Sequence, residues 1–236
     1  MTRKRDSRKD GVGGLAVGEK LILANSKYNI VNYSSVQEAL KPFGVPLTPA
    51  LADSLRQYLA LLLRWNQKIN LTASSDLDEI LQRHIGESLF GARFLPEVPG
   101  TIYDVGSGAG FPGLPIKLAR PEWELVLVES DHRKAAFLSE AVRVLNLGRA
   151  RVLVERFDRL PTAPPLADVI MARALGQYPV LLDWSKRALR PSGRVLLWLG
   201  SRDAAILSQV RGWLWEAPVP LPNSKERVVL RGVLSP

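Results

Sequence analysis

The chain has no cysteine in its 236 residues, which excludes disulfides, thiolate metal sites and cysteine nucleophiles and fits a reducing cytosol. Histidine is nearly as scarce. His84 and His132 are the only two, too few for a metal cluster, so no metal is expected. Long apolar runs are missing as well: stretches such as Tyr58-Leu-Ala-Leu-Leu-Leu63 fall far short of a bilayer span. The basic N-terminus lacks the apolar core and cleavage pattern of a secretory signal. A cytoplasmic protein with no membrane partner is the expectation. Positive charge, by contrast, is plentiful: 32 Lys and Arg stand against 23 Asp and Glu, giving a net +9 and a pI of 10.0. Part of the surplus sits in the first ten residues (Arg3, Lys4, Arg5, Arg8 and Lys9 against Asp6 and Asp10) and the rest is spread over the chain. Such a balance suits a polyanion, most simply nucleic acid, although charge alone does not separate that from a merely basic surface.

With 46% hydrophobic residues the chain can bury a core, and its length suits one α/β domain with an added subdomain. Residues 1–35 read as a flexible basic tail. Residues 36–97 read as a helical subdomain. Thr48-Pro49 is a helix start, with Leu51, Leu55, Tyr58, Leu59, Leu62 and Leu63 on one stripe, and a second helix is expected from about Asp76 to Phe94. Residues 98–236 alternate strand and helix as in a doubly wound sheet. Strands are expected at 101–105, 124–129, 150–154, 167–172 and 194–199, with helices near 113–120, 131–146 and 177–189, Gly148 and Gly193 falling where helices should stop. A helix near 202–211 precedes two strands, about 213–219 and 226–234, which would pair as an antiparallel hairpin at the sheet edge.

The stretch Thr101-Ile-Tyr-Asp-Val-Gly-Ser-Gly-Ala-Gly-Phe-Pro-Gly113 carries the chemistry. It reads as a buried strand, a turn in which Gly106, Gly108 and Gly110 permit positive φ and close ligand approach, and a helix start. Asp104 ends the strand. An acid there would repel a pyrophosphate but suits a cofactor bearing an amine and a sulfonium, namely S-adenosylmethionine. Glu129 closes the apolar run Glu124-Leu-Val-Leu-Val where a ribose-binding carboxylate belongs. NAD binding is the competing reading of the glycine pattern.

The acceptor is narrowed by exclusion. Pyrimidine carbon methylation commonly needs a cysteine. Amine methylation commonly needs Asp/Asn-Pro-Pro-aromatic after the fourth strand, where this chain has Arg173-Ala174 instead. Ring nitrogens with a free lone pair, such as guanine N7, and various oxygens remain; for N7, alignment and a matched field suffice.

Five ordered motifs carry a resemblance. They are Trp65-Asn-Gln-Lys-Ile-Asn-Leu-Thr72, Arg83-His84 with Glu87-Ser88, Asp104 to Gly113, Glu129-Ser130 with Arg133-Lys134 and Phe137-Leu138, and the arginines Arg156 and Arg173-Ala174. Over about Phe43 to Gly200 the chain resembles the bacterial 16S ribosomal RNA guanine-N7 methyltransferase family RsmG, also called GidB. It departs from that pattern in having Arg133-Lys134 for Lys-Arg, and Glu at 87 and 129 where Asp is common.

The resemblance implies a Rossmann-like class I S-adenosylmethionine-dependent methyltransferase fold, a mostly parallel sheet with an antiparallel edge hairpin. It implies Gly106, Phe111, Glu129, Ser130, Phe157, Asp158 and Arg173 around the cofactor. Asn70, His84, Lys134 and Arg156 then face RNA, with 16S ribosomal RNA or the small subunit as partner and a monomer as the acting form. Arg173 is expected to be catalytic, because it leaves the fourth strand at the carboxyl edge where methyl and acceptor meet. It could hold the methionine carboxylate, an RNA phosphate or guanine O6. A small-molecule methyltransferase of this fold and a non-catalytic RNA-binding or assembly protein are the alternatives.

Overall fold

The computed structural model describes residues 33–160 and 166–235. Helix α1 spans Tyr33–Leu40 and buries Val36, Ala39 and Leu40. Residues 33–35, expected in a tail, are therefore helical, while the rest of that expected tail lies outside the described residues. Sequence patterning misses α1 because only three buried side chains mark it. Helix α2 (Pro49–Asn66) starts as expected: Leu51 N–H donates to Thr48 Oγ1 at 3.2 Å, and Leu51, Leu55, Tyr58, Leu59 and Leu62 are buried along one stripe.

The next helical run, α3, comprises four contiguous segments, Leu77–Glu79, Ile80–Gly86, Glu87–Gly91 and Ala92–Phe94. Asp76 caps it by accepting from Asp78 and Glu79 N–H. Ile80–Gly86 has π geometry, with Glu87 N–H reaching back to Gln82 O. The extra residue per turn rotates the following face, which a 3.6-residue periodicity does not anticipate.

The strands are β1 (Thr101–Val105), β2 (Glu124–Val128), β3 (Ala150–Leu153), β4 (Ala167–Arg173), β5 (Leu189–Gly200), β6 (Trp213–Trp215), β7 (Val219–Pro220) and β8 (Arg227–Leu234). The intervening helices are α4 (Gly113–Ala119), α5 (His132–Val144), α6 (Tyr178–Ala188) and α7 (Ser201–Leu207). The sheet runs β3-β2-β1-β4-β5-β8-β6, with β7 also paired to β8. β1 to β5 are mutually parallel and β8 is antiparallel to its neighbours. The order reverses between β1 and β4, so the loops leaving those two strands open onto one crevice.

The fold class stands as expected, with two local corrections. β6 and β8 do pair antiparallel, but β8 lies inside the sheet against β5, and β6 is the edge. Gly193 does not stop a helix. It lies within β5 beside a register irregularity between Ala167 and Val169, where a Cβ would sit 3.1 Å from Ala167 O, so the close backbone approach accounts for glycine.

The helices preceding β1 belong with the sheet to one compact unit, Tyr33–Pro236. Tyr58 donates from α2 to Ala109 O at 2.5 Å, and Trp65 Nε1 donates to Glu140 Oε2 of α5 at 2.8 Å. On the other side of the sheet's upper edge, Trp198 Nε1 of β5 donates to Glu87 O at 2.9 Å. A Cβ on Gly91 would collide with the Trp198 ring at 2.0 Å. These contacts pack α2 against α4, α5 and the loop that leaves β1, and α3 against the last part of β5.

Candidate active site

The turn after β1 has Gly106, Gly108 and Gly110 at φ of 70°, 54° and 89°. Their surroundings differ. A Cβ on Gly106 would strike Leu175 of the β4 loop at 2.7 Å and one on Gly110 would strike Leu114 at 2.4 Å, whereas at Gly108 the nearest atom is 3.8 Å away. Gly106 and Gly110 thus pack against the chain itself, and Gly108 is the one that leaves room. Glu129, just past β2, accepts from Gly108 N–H and from Asp131 N–H, each at 2.8 Å. It holds the turn's shape while retaining lone pairs for further donors.

Asp104 lies wholly beneath this turn. Its Oδ2 accepts from Gly113 N–H at 3.0 Å and its Oδ1 is buried without a partner. Burial pushes its carboxyl up to about 7, against the opposing pull of the Gly113 N–H. A buried acid packed against Gly113, in the same turn whose Gly108 leaves room and is held by the second acid Glu129, fits a cationic cofactor rather than a pyrophosphate, and on that ground the residues fit S-adenosylmethionine.

Phe111 is buried and stacks on His84 with ring centroids 4.9 Å apart and planes at 16°, while Tyr58 meets it edge-on at 5.7 Å. Burial, with help from the Arg173 and Arg83 charges, lowers the His84 pKa to about 4, so the ring is neutral at physiological pH. Ser130 is exposed beyond Glu129. Phe157 is buried edge-on against Trp184 at 5.6 Å. Asp158 and Arg156 pair with each other in fork geometry, Nε to Oδ1 3.1 Å and Nη2 to Oδ2 2.8 Å, on the surface.

Two residues placed on the RNA side by sequence lie on flanking elements. Asn70 is exposed in the loop after α2, and Lys134 is half-buried in the first turn of α5. That loop is built by Asn66, whose Oδ1 accepts from Leu71 N–H at 2.8 Å and Thr72 N–H at 3.0 Å.

Arg173 ends β4 next to Ala174, which takes a left-handed φ of 53°, a conformation that costs a non-glycine residue about 1 kcal/mol or more. Its guanidinium is largely buried, and Nη2 lies 3.1 Å from Glu87 Oε2. Arg227 of β8 binds the other oxygen of Glu87, Nε to Oε1 at 2.8 Å. Burial raises the Glu87 pKa and lowers that of Arg173, and each charge offsets the effect on the other. Sequence reasoning places Glu87 within a motif without a role and misses Arg227 altogether. An acid one turn beyond Arg83-His84 is a usable signal for the first; for the second, 140 residues away in sequence, there is none.

Residues 51–211 match the family described as GidB, rRNA small subunit methyltransferase G. A Paracoccus denitrificans (strain Pd 1222) protein named ribosomal RNA small subunit methyltransferase G is 41% identical over 162 residues, 67% of this chain and 81% of that protein. One of the same name from Stenotrophomonas maltophilia (strain K279a) is 37% identical over 189 residues, 80% and 87% of the two chains. Among solved structures, a putative O-methyltransferase from Klebsiella pneumoniae has a TM-score of 0.56, covering 86% of this chain and 96% of its own at 14% identity. The glycopeptide N-methyltransferase MtfA, complexed with S-adenosyl-L-methionine, has a TM-score of 0.54, covering 64% and 94% at 13% identity. At such identities these two share the fold.

Proposed function

The chain belongs to the family of rRNA small subunit methyltransferase G, and from that premise we propose that it transfers a methyl group from S-adenosylmethionine to N7 of a guanine in 16S ribosomal RNA. The observation that carries the reading is the arrangement around the β1–β4 crevice. On one side Glu129 holds the N–H of an open Gly108 and Asp104 lies buried against Gly113 of the same turn, and Arg173 stands at the end of the adjacent strand on the other.

Bound S-adenosylmethionine supplies an electrophilic methyl group on a sulfonium. With it bound, Asp104 would contribute a compensating negative charge beneath the turn, and Glu129 would accept hydrogen bonds from ribose hydroxyls. Phe111, held by its stack on His84, would wall the site with an aromatic face, and Phe157 and Asp158 would hold the adenine. Ser130 adds a hydroxyl at the rim. Guanine N7 has a free lone pair, so its methylation leaves no proton for a base to remove. The site answers that with positioning groups: a neutral His84 and an Arg173 fixed by Glu87. Asn70, Lys134 and Arg156 are assigned to the RNA backbone.

The surplus of basic residues supports a polyanionic substrate over a small molecule. A ribosomal substrate puts the work in the cytoplasm, and we assign a monomer as the acting form; among the described residues no helix is long and apolar enough to cross a membrane. The test is transfer from labelled cofactor to small subunits that lack the modification, with the product nucleoside identified by mass. N7-methylguanine is expected. A label on another atom would overturn the N7 assignment, and absence of transfer would leave the non-catalytic alternative.

A further inference from the structure

On the β5–β8 side of Arg173, away from the β1–β2 side that carries the glycine turn, lies a pocket of about 370 Å³. Its lining includes Arg83, Glu87, Arg173, Arg227, Tyr178 and Trp198. The volume is that of a small-ligand site. Three arginines suggest a phosphate at first sight, but the charges are already matched. Arg173 and Arg227 share Glu87, and Arg83 holds Glu79 at 2.9 Å. A phosphate would have to compete with both carboxylates.

What the pocket lacks is satisfied hydrogen bonding. Arg173 Nη1 is a buried donor with no acceptor. Glu87 Oε2, although 3.1 Å from Arg173 Nη2, accepts no well-directed hydrogen bond. Buried polar atoms in native proteins are nearly always paired, so a donor and an acceptor left open side by side call for a ligand that offers the reverse pair. The lactam edge of an oxopurine does so: its carbonyl oxygen accepts from the guanidinium and its adjacent ring N–H donates to the carboxylate. Adenine presents the opposite polarity at those two atoms. The half-buried Tyr178 supplies aromatic surface for the ring.

We infer that this pocket is the acceptor-base subsite, which receives an unstacked guanine from the RNA and selects it over adenine through Arg173 and Glu87. The assignment rests on the methyltransferase reading above. It leaves N7 free, because the contacted edge is that of O6 and N1, and it asks the RNA to release one base from its stack, as enzymes acting on bases generally require.

Inhibition of methyl transfer to unmodified small subunits is measured with guanosine, inosine and adenosine 5′-monophosphates at millimolar concentration. Inosine keeps the lactam edge, so the first two should inhibit at least tenfold more strongly than the third. Asp203→Trp, on the exposed first turn of α7 at the pocket rim, should fill the space. It should abolish transfer while calorimetry shows unchanged cofactor affinity and melting temperature stays put. Equal inhibition by all three nucleotides, inhibition by none, or full transfer by Asp203→Trp overturns the subsite while wild-type transfer keeps the family reading intact. A wild-type protein that methylates no subunit overturns both.

Discussion

Arg173 Nη2 and Glu87 Oε2 lie 3.1 Å apart with the carboxylate 1% exposed, so the last residue of β4 is locked to the helix residue that follows the π turn. Removing the acid leaves two guanidinium groups, Arg173 and Arg227, facing each other without it. Glu87→Ala should therefore cost about 3 to 5 kcal/mol of stability, read from urea unfolding. A loss below 1 kcal/mol would mean that the arginines find other partners.

Arg173 itself should divide the two functional readouts. Arg173→Ala should depress methyl transfer far more than RNA affinity, since one lost contact weakens binding modestly while misalignment of the reacting groups is costly. Arg173→Lys keeps the charge but loses the planar guanidinium that sets one nitrogen beside Glu87 and leaves the other open, and should rescue little. Full activity in Arg173→Ala, measured as N7-methylguanine formed, would remove the residue from the site.

Asp104 gives a pH dependence with a definite sign. Its folded pKa of about 7 lies above the ordinary 3.8. Between those values the native chain holds a proton that the unfolded chain has released, and the stability from this group declines as pH rises through that window, on the order of 2 to 4 kcal/mol in all. A sulfonium nearby favours the ionised form. S-adenosylmethionine should thus bind more tightly at pH 8 than at pH 6, and the uncharged thioether product should show a weaker trend. Calorimetry on Asp104→Asn should abolish the difference between the two ligands; a persisting difference would place its origin elsewhere.

The parallel strands are legible in the sequence because a short apolar run that ends in glycine or an acid is the pattern of a strand buried on both faces, and the glycine turn follows from residue type alone. The π segment is not, since Ile80–Gly86 has the composition of an ordinary helix and only the Glu87-to-Gln82 hydrogen bond distinguishes it. The same holds for the ion cluster. Glu87, Arg173 and Arg227 come from three elements brought together by the placement of β8 next to β5, and no local pattern encodes that choice of neighbour. Taken singly, Arg156 points to RNA and Asp158 to adenine. Their spacing of two residues also permits the pairing that forms.

The glycines of the turn should separate folding from binding. Gly110→Ala drives a methyl group to 2.4 Å from Leu114 and should lower the melting temperature markedly. Gly108→Ala meets nothing closer than 3.8 Å and should cost only the roughly 1 to 2 kcal/mol of a left-handed alanine. Its methyl group points into space that the chain leaves empty, so cofactor affinity should fall at least tenfold in a folded protein, and Gly108→Val more so. Equal cofactor affinity in Gly108→Ala and wild type would mean that the cofactor does not approach this peptide.

Arg156 forms its forked pair with Asp158 on the solvent-exposed surface, a setting in which an ion pair adds little to stability. Arg156→Ala should accordingly leave folding almost unchanged. Its effect on RNA is shaped by the partner: a phosphate that binds Arg156 displaces Asp158, so the net charge released on binding is less than that of a free arginine. The salt dependence of RNA affinity should flatten by less than the roughly one unit expected for a free phosphate contact. Asp158→Asn should do the reverse, tightening RNA binding at low salt and steepening the slope, while any role of Asp158 toward adenine appears separately as weaker cofactor binding. Salt titrations of the two single variants and the double variant decide this: identical slopes in wild type and Asp158→Asn would mean that Arg156 does not contact the RNA.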